Sequence, residues 1–321
     1  MTEAQVTESI VVSVPTAELR EALGDIDGVR IHQWDLTGEA PEPHIDIVVP
    51  QYWKSEPTLP NLAHITTKLV QSQSIGYDRV AQVLPAGHQY ANAASVHETS
   101  TAEIAVGLMI AAQRGLDHFA RERSQVQWYG FWKPSLADRR VLIVGYGGVG
   151  KAVDRRLHGF ECEVTRVATT ARQETGPCGE TVEVKAIAEL PELLTRAEIV
   201  VLTVPHTPET ERMLNAETLA LLPDGALVVN VARGKVVDTT ALTAEVQSGR
   251  LRAALDVTSP EPLPQDHPLW NLDNVLISPH VGGASSAMHP RMVALIKRQI
   301  EHLRNGEPFE NIVLDHREGA D

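Results

Sequence analysis

A glycine-rich turn in the middle of the chain constrains the fold of this sequence most strongly. Residues 141–150 read VLIVGYGGVG, so a short apolar run leads into Gly145-x-Gly147-x-x-Gly150. A helix-like stretch and a second apolar run, CEVTRVA, come next. In this order of strand, turn, helix and strand, the motif predicts a βαβ unit that binds a dinucleotide. Its glycines permit the tight turn, the approach of the diphosphate and close helix–strand packing.

The helix that follows the turn is expected to begin at the cofactor phosphates. The backbone N–H groups of Gly147, Gly148 and Val149 are predicted to point at the diphosphate. The positive end of the helix dipole adds to their attraction for an anion.

The end of the second strand predicts which dinucleotide is bound. Chains that bind NAD usually carry Asp or Glu there, and the carboxylate bonds the ribose 2′-hydroxyl. Residues 167–172 read VATTAR, which contains no carboxylate. Thr169, Thr170 and Arg172 suit a 2′-phosphate instead, so the sequence predicts NADP (NADPH) as the cofactor. As an alternative, Arg172 is an ordinary surface arginine.

Length and charge exclude several classes of protein. The 321 residues are enough for two domains, and the net charge is −14, from 28 basic and 42 acidic residues. That balance argues against binding to nucleic acid or to an anionic membrane. The first residues lack the basic region of a signal peptide, and no apolar run approaches the roughly 18 residues of a membrane span. We expect a cytoplasmic protein with reduced Cys162 and Cys178 and no metal site.

Strand-like and helix-like segments alternate on both sides of the glycine turn. The strand-like segments are residues 10–14, 29–34, 46–49 and 65–72, and then 198–205, 225–232, 251–257 and 274–279. Such alternation predicts an α/β fold with two doubly wound, parallel-sheet domains. A long helix is predicted over 98–123, and a helix over 289–306 is expected to return to the first domain. The prediction is therefore a Rossmann-type NADP-binding domain, 98–288, inserted into a flavodoxin-like substrate domain, 1–97 plus 289–321.

Polar side chains follow three successive predicted strands. The segments are NVARGKVVD (230–238), LDVTSPEPLP (255–264) and SPHVGGAS (278–285). In open α/β sheets, ligands bind outside the carboxyl ends of the strands. We therefore expect Arg233, Asp256, Glu261 and His280 to meet in one crevice.

The residue types in this crevice indicate a reaction. Arginine offers a planar fork of donors for a carboxylate or keto oxygen, and histidine exchanges a proton near neutral pH. A neighbouring carboxylate stabilises the imidazolium. Together with a nicotinamide, these groups predict the reduction of a 2-keto acid. Taken one at a time, each residue has another interpretation: Asp256 as a turn cap, Glu261 as a solvated acid and His280 as a core histidine. Because all three follow successive strands, their co-occurrence favours a catalytic site.

These motifs resemble those of the D-isomer-specific 2-hydroxyacid dehydrogenases, most closely the glyoxylate/hydroxypyruvate reductase branch. The resemblance covers nearly the whole chain and is strong from 141 to 285. It is carried by GYGGVG (145–150), TVPHTPETERML (203–214), NVARGKVVD, LDVTSPEPLPQDHPLW (255–270) and SPHVGGAS.

The resemblance implies a role for each residue of the crevice. Arg233 would hold the substrate carboxylate and polarise its carbonyl. His280 would be the general acid in reduction, and Glu261 would pair with it. Asp256 would orient the nicotinamide carboxamide. The family's further cofactor-binding positions correspond to Pro205, Thr210 and Val231.

The resemblance also implies substrate contacts outside the cofactor domain. QSQSIGYD (71–78) resembles the loop whose backbone N–H groups take the substrate carboxylate, which places Ser74, Ile75 and Gly76 at the substrate. GFWKP resembles a segment that delivers a tryptophan to the neighbouring subunit's substrate pocket. Trp132 is the candidate, with packing in a dimer interface as the alternative. A homodimer is expected by the same analogy.

Some positions depart from the family pattern. NAD-using members carry Asp where Ala168 stands, which supports NADP. The family often has Arg where Gly148 stands, and Lys151 is a candidate to compensate. His206 replaces a frequent leucine and is assigned no role. Two further residues keep two readings each: Arg166 at the adenosine end or as an edge charge, and His97 as a second acid or at a hinge.

The sequence thus predicts an NADPH-dependent reductase that converts short 2-keto acids to D-2-hydroxy acids. Glyoxylate and hydroxypyruvate are the first expected substrates. A bulkier 2-keto acid is the main alternative. Another is a non-catalytic, cofactor-sensing protein of the corepressor kind. Formate dehydrogenase is disfavoured, because its relatives carry Gln where this chain has Glu261.

Overall fold

The structure is a computed structural model that describes residues 9–53, 55–122 and 132–317. The described residues form two compact units. One contains the residues up to His97 and those from Ser286 onward, and the other runs from Glu98 to Ser285.

The first unit is built on a six-stranded sheet. Its strands are β1 (Ile10–Val14), β2 (Val29–Gln33), β3 (Ile47–Val48), β4 (Leu69–Gln71), β5 (Gln89–Ala91) and β14 (Ile312–Asp315). The order across the sheet is β14-β5-β4-β3-β1-β2, and only β14 runs antiparallel to its neighbour. The parallel strands follow the 2-1-3-4-5 order of flavodoxin-like folds.

Helices cover this sheet and close its core. They are α1 (Ala17–Leu23), α2 (Ser55–Thr58), α3 (Val80–Val83) and α10 (Met288–Asn305), with a 3₁₀ turn at Leu59–His64. Helix α1 begins where the Thr16 side chain accepts the Leu19 N–H, and it ends at Gly24, whose φ is +66°. Apolar side chains of α1 and α10 pack with those of β1, so the first unit has its own core.

The second unit is built on an eight-stranded sheet. Its strands are β6 (Arg140–Val144), β7 (Glu163–Ala168), β8 (Arg172–Thr175), β9 (Thr181–Ala186), β10 (Ile199–Leu202), β11 (Leu227–Asn230), β12 (Arg252–Leu255) and β13 (Val275–Ile277). The order is β13-β12-β11-β10-β6-β7-β9-β8, with only β8 antiparallel to its neighbour. Strand order reverses between β6 and β10, where open α/β sheets form their ligand crevice.

Helices flank both faces of this second sheet. They are α4 (Glu98–Arg114), α5 (Leu116–Glu122), α6 (Gly148–Leu157), α7 (Leu190–Leu194), α8 (Ala216–Ala220) and α9 (Thr239–Gln247). In the described residues of this unit, 3₁₀ turns lie at His158–Phe160, Ile187–Glu189, Gly234–Val236 and Pro268–Asn271. Every residue of β10 and β11 is buried, as expected for parallel strands that are covered on both faces.

The predicted fold class is confirmed: the protein is α/β with two parallel-dominated sheets. The prediction of one helix over 98–123 is wrong. Gly115 adopts a φ of +64° and separates α4 from α5, a backbone conformation that ends a right-handed helix. The sequence pattern also missed β5, β8, β9 and β14. Of these, β8 and β14 lie at sheet edges, and β5 has only three residues.

Two wider features concern the whole described chain. None of the helices in residues 9–53, 55–122 and 132–317 is both long and apolar enough to cross a membrane. Within the same residues, no three His, Cys, Asp or Glu side chains are grouped so that they could hold a metal ion.

Candidate active site

The glycine turn follows β6 at the point where strand order reverses. Gly145 has a φ of +101°, and a Cβ there would lie 2.8 Å from the Thr203 carbonyl carbon. A Cβ on Gly150 would lie 2.0 Å from the Gly145 oxygen. Only glycine fits at these two positions, because the clashing atoms are backbone atoms. The Thr203 hydroxyl donates to the same Gly145 oxygen at 2.6 Å, which joins the turn to the loop after β10.

The face of the turn that would meet a cofactor is open. A Cβ on Gly147 would touch nothing within 4 Å, and Gly147 caps α6 without a side-chain hydrogen bond. Among the described residues, nothing accepts a hydrogen bond from the N–H groups of Gly148 and Val149. Unsatisfied N–H groups at a helix N-terminus fit an anion. The turn therefore fits the diphosphate of a dinucleotide.

Gly148 packs against a side chain that the sequence analysis did not single out. A Cβ at this position would lie 2.8 Å from Cγ of Glu98 and 3.0 Å from its Oε1. The Glu98 side chain at the start of α4 thus occupies the space next to the turn. A side chain at position 148 would therefore require the Glu98 side chain to move.

The turn after β7 carries the residues predicted to select the cofactor. Thr169 and Thr170 are exposed, and Arg172 is the first residue of β8. The Arg172 guanidinium donates through Nη1 to the Thr170 oxygen and through Nη2 to the Tyr146 oxygen, both at 3.3 Å. Its fork therefore spans the distance between this turn and the glycine turn.

A carboxylate that sequence reasoning missed lies beside Arg172. Glu174 Oε1 accepts from Arg172 Nε at 2.5 Å, and Glu174 Oε2 pairs with Lys151 Nζ at 2.5 Å. Lys151 and then Arg172 hold the pKa of the Glu174 carboxyl below its usual range. The signal was present in the sequence, because residues two apart on a strand face the same side. Without β8 in the prediction, however, that spacing had no meaning.

Arg166 belongs to a buried network behind the glycine turn. Its guanidinium donates to both carboxylate oxygens of Asp154 at 2.7 and 3.0 Å, and the Tyr146 hydroxyl donates to Asp154 at 2.6 Å. Burial and then the Asp154 carboxylate raise the pKa of Tyr146 to about 12. Since Arg166 is bound in this way, the structure favours a supporting role over contact with the adenosine.

Arg233 lies three residues past the end of β11, in a tightly packed segment. A Cβ on the next residue, Gly234, would lie 1.8 Å from the Thr258 oxygen. The segment with Arg233 is thus pressed against the segment that leads to Glu261. Asn230 Nδ2 donates to the Arg233 oxygen at 3.0 Å and fixes the start of this segment. Both contacts hold the backbone that presents the guanidinium.

His280 and Glu261 form the predicted pair. His280 Nδ1 is hydrogen-bonded to Glu261 Oε1, and both side chains are partly exposed. The backbone of His280 is left-handed, with a φ of +53°. Non-glycine residues rarely adopt this conformation, and such outliers cluster at functional sites. The His280 N–H donates to the backbone carbonyl oxygen of Asp256 at 2.8 Å, and this hydrogen bond supports the left-handed conformation of His280.

Asp256 holds the loop that carries His280. Its buried carboxylate accepts from the Ser278 hydroxyl at 2.6 Å, the Val281 N–H at 3.0 Å and the Gly282 N–H at 2.9 Å. A Cβ on Gly282 would lie 3.3 Å from Cγ2 of Thr101, a buried residue of α4 that the sequence did not single out. The predicted contact of Asp256 with the nicotinamide stays a prediction.

The remaining predicted cofactor residues lie past the ends of β10 and β11. Thr210 donates to the Pro205 oxygen at 2.7 Å and accepts the Thr207 N–H at 2.8 Å, so it shapes the loop. Val231 is buried. His206 lies in the same loop, with Nε2 3.8 Å from Glu211 Oε2. Contact of these residues with a cofactor stays a prediction.

In the first unit, Ser74, Ile75 and Gly76 form a loop after β4. The Ser74 N–H donates to the Ser72 hydroxyl, and Asn92 Nδ2 donates to the Ile75 oxygen, both at 2.9 Å. Within the described part of the chain, the N–H groups of Ile75 and Gly76 donate no hydrogen bond. A fixed loop with two such donors fits a carboxylate.

His97 and Trp132 have clearly different surroundings. His97 is buried, its Nε2 lies 2.6 Å from the Gln73 oxygen, and its ring stacks on Tyr52 at 5.4 Å. These contacts favour a supporting role for His97 over that of a second acid. Trp132 is fully exposed, and the preceding GF of its motif lies outside the described residues. Its insertion into a neighbouring subunit stays a prediction.

Comparison with known proteins decides the family. The family model described as "D-isomer specific 2-hydroxyacid dehydrogenase, NAD binding domain" matches residues 106–282. The chain belongs to the D-isomer-specific 2-hydroxyacid dehydrogenases. Members of this family are enzymes that bind a nicotinamide cofactor and act on small 2-hydroxy or 2-keto acids.

Relatives place the chain in the glyoxylate reductase branch of this family. It is 35% identical to a glyoxylate reductase of Thermococcus onnurineus over 75% of this chain and 74% of that one. It is 31% identical to the human glyoxylate reductase/hydroxypyruvate reductase over 91% of this chain and 93% of the relative.

Solved structures agree with this placement. An NADPH-dependent glyoxylate/hydroxypyruvate reductase of Sinorhizobium meliloti, in complex with NADP and sulfate, is 25% identical. Its TM-score is 0.78, with 95% of this chain and 97% of that chain covered. A family member from Xanthobacter autotrophicus, in complex with NADPH and MES, is 28% identical with a TM-score of 0.78 over 96% and 98%.

Proposed function

We propose that this dehydrogenase uses NADPH to reduce short 2-keto acids, glyoxylate and hydroxypyruvate first, to D-2-hydroxy acids. One observation carries the proposal most directly. The hydrogen-bonded pair of His280 and Glu261 stands beside the Arg233 segment, at the carboxyl ends of the strands of a dinucleotide-binding sheet. That edge is where ligands bind in such folds.

The chain's own groups divide the work on the substrate. Arg233 holds the carboxylate through its fork of donors and polarises the keto oxygen. By the family resemblance, the N–H groups of Ile75 and Gly76 are assigned to substrate binding, so the first unit is the substrate domain. His280 gives a proton from Nε2 to the keto oxygen, while Glu261 at Nδ1 fixes the ring and stabilises the imidazolium. A bound NADPH supplies the hydride.

The preference for NADPH rests on charge at the end of β7. Ala168 offers no carboxylate to a ribose 2′-hydroxyl, whereas Thr169, Thr170 and Arg172 present hydroxyls and a guanidinium. Lys151 adds a second cation from α6. Two similar structures contain NADPH or NADP, which supports this assignment.

The proposed homodimer rests on analogy with the family and on the exposure of large apolar side chains. Trp132 is fully exposed, a rare state for a tryptophan in a folded chain. Leu116 and Phe119 of α5 are exposed as well. We propose that this region forms a homodimer interface and that Trp132 reaches the partner's substrate pocket.

The test is the loss of absorbance at 340 nm with NADPH or NADH and a series of 2-keto acids. The expected result is rapid oxidation of NADPH with glyoxylate and hydroxypyruvate, and slower oxidation of NADH. Activity confined to phenylpyruvate would support the proposed mechanism but would show that the substrate is a bulkier 2-keto acid. Cofactor binding without turnover on any of them would contradict the proposal and favour a cofactor-sensing protein.

A further inference from the structure

The charged cluster at the start of β8 carries an inference beyond the choice of cofactor. One carboxylate, Glu174, engages both cations that the proposed function assigns to the 2′-phosphate. Its two oxygens each lie 2.5 Å from a partner, Arg172 Nε and Lys151 Nζ. The Glu174 side chain is only 19% exposed, so water screens these contacts less than on an open surface.

The contacts of Arg172 show how firmly it is engaged. Its bond from Nε to Glu174 is 2.5 Å long, whereas its two Nη groups reach backbone oxygens at 3.3 Å. The shortest bond of the guanidinium therefore goes to a carboxylate. A phosphate monoester needs the same donors, because both anions accept charge-assisted hydrogen bonds from them.

We propose that Glu174 is a specificity-determining residue that weakens the binding of NADP by competing for Arg172 and Lys151. This inference rests on the proposed function. Before the 2′-phosphate binds at full strength, the two cations must leave Glu174 or share their donors with it. The apparent affinity is then the intrinsic affinity multiplied by the fraction of molecules in which the cations are free of Glu174. A ligand without a 2′-phosphate does not meet this competition.

The same hairpin offers a matched control. Glu183 lies on β9, paired in register with Gln173 of β8, and its carboxylate is bound to Lys185 at 2.7 Å. Glu183→Gln removes one negative charge from the hairpin, as Glu174→Gln does. It leaves the contacts of Arg172 and Lys151 intact. The pair of variants therefore separates direct competition from the general field of the hairpin.

The experiment measures dissociation constants of the full chain by calorimetry with 2′,5′-ADP and with 5′-AMP. These probes differ by the 2′-phosphate alone. Glu174→Gln should tighten the binding of 2′,5′-ADP by about threefold to tenfold, the range for one or two released ion pairs. It should leave 5′-AMP unchanged, and Glu183→Gln should leave both unchanged. In a Lys151→Ala, Arg172→Ala background, Glu174→Gln should have no effect.

Weaker binding of 2′,5′-ADP by Glu174→Gln would overturn the inference and show that the carboxylate positions the cations. No change, or equal tightening of both probes, would overturn it as well. The proposed cofactor is tested separately by the wild type. If the wild type binds the two probes equally, the NADP assignment fails together with the inference. If it prefers 2′,5′-ADP and Glu174→Gln changes nothing, only the inference fails.

Discussion

The catalytic end and the cofactor-selecting end of the second unit are built by different means. At the catalytic end, backbone contacts set the geometry. Gly234 is pressed on Thr258, the backbone of His280 is left-handed, and Asp256 ties down the following amides. At the selecting end, side chains contact side chains, and Arg172 is held by Glu174 on an edge hairpin.

This difference indicates whether a substitution more easily changes the reaction or the cofactor preference. A group held by backbone contacts keeps its position when neighbouring side chains change. A group held by ion pairs near the surface depends on the charges beside it, and such pairs contribute little stability. We therefore expect the reaction to be hard to alter and the cofactor preference to be easy to alter.

His280→Ala tests the catalytic end with the largest expected effect. If His280 donates the proton, kcat should fall by about 10²–10⁴-fold with either cofactor. Steady-state kinetics with hydroxypyruvate measures the loss. His64→Ala, an exposed histidine of the first unit, is the control and should keep the wild-type rate. A kcat near that of the wild type in His280→Ala would remove this residue from the proton transfer.

Two glycines of the turn sharpen the comparison between binding and folding. Gly147→Ala should weaken the binding of both cofactors by about tenfold or more, because the new Cβ would occupy the space that the diphosphate is proposed to fill. Its free energy of unfolding should stay within about 0.5 kcal/mol of wild type, since that space is open. Gly150→Ala should instead lower the free energy of unfolding by about 1–3 kcal/mol or more.

Fluorescence titration and denaturant unfolding measure these two glycine effects. A Gly147→Ala protein that binds both cofactors normally would show that the diphosphate does not approach this turn. A stable Gly150→Ala protein would contradict the close packing of the turn against the start of α6.

Arg172→Ala tests the selecting end. The loss of a charge-assisted contact to the 2′-phosphate should raise the Kd of NADPH by about tenfold to a hundredfold. The Kd of NADH should change little. Arg20→Ala, a substitution of an arginine on α1 of the first unit, is the control for the change in net charge. Equal changes for both cofactors in Arg172→Ala would refute the phosphate role.

The buried Tyr146 predicts a smaller effect, on stability at high pH. Its pKa is raised to about 12 in the folded protein, so the folded state keeps this proton where the unfolded state has already lost it. The free energy of unfolding should therefore fall between about pH 10 and pH 12, by about 1–2 kcal/mol from this group. Tyr146→Phe should flatten that part of the profile; an unchanged slope would contradict the role of Tyr146.

The sequence predicted the parts of the molecule that follow from local pattern. Buried strands such as β10 and β11 are continuous apolar runs, and the glycine turn has its own signature, so the fold class and the crevice were predictable. Gly115 and the edge hairpin were not, because a single left-handed glycine or a polar edge strand leaves little periodic signal. Glu174 and Glu98 escaped notice because their roles depend on contacts across elements.

The most direct test of the account compares wild type, His280→Ala and Arg172→Ala by kcat/KM for NADPH and NADH, with saturating hydroxypyruvate. We expect His280→Ala to lower turnover with both cofactors by the same factor and to keep their ratio. We expect Arg172→Ala to abolish the preference for NADPH and to keep kcat near that of the wild type. A changed cofactor ratio in His280→Ala, or a collapsed kcat in Arg172→Ala, would contradict the separation of the two ends.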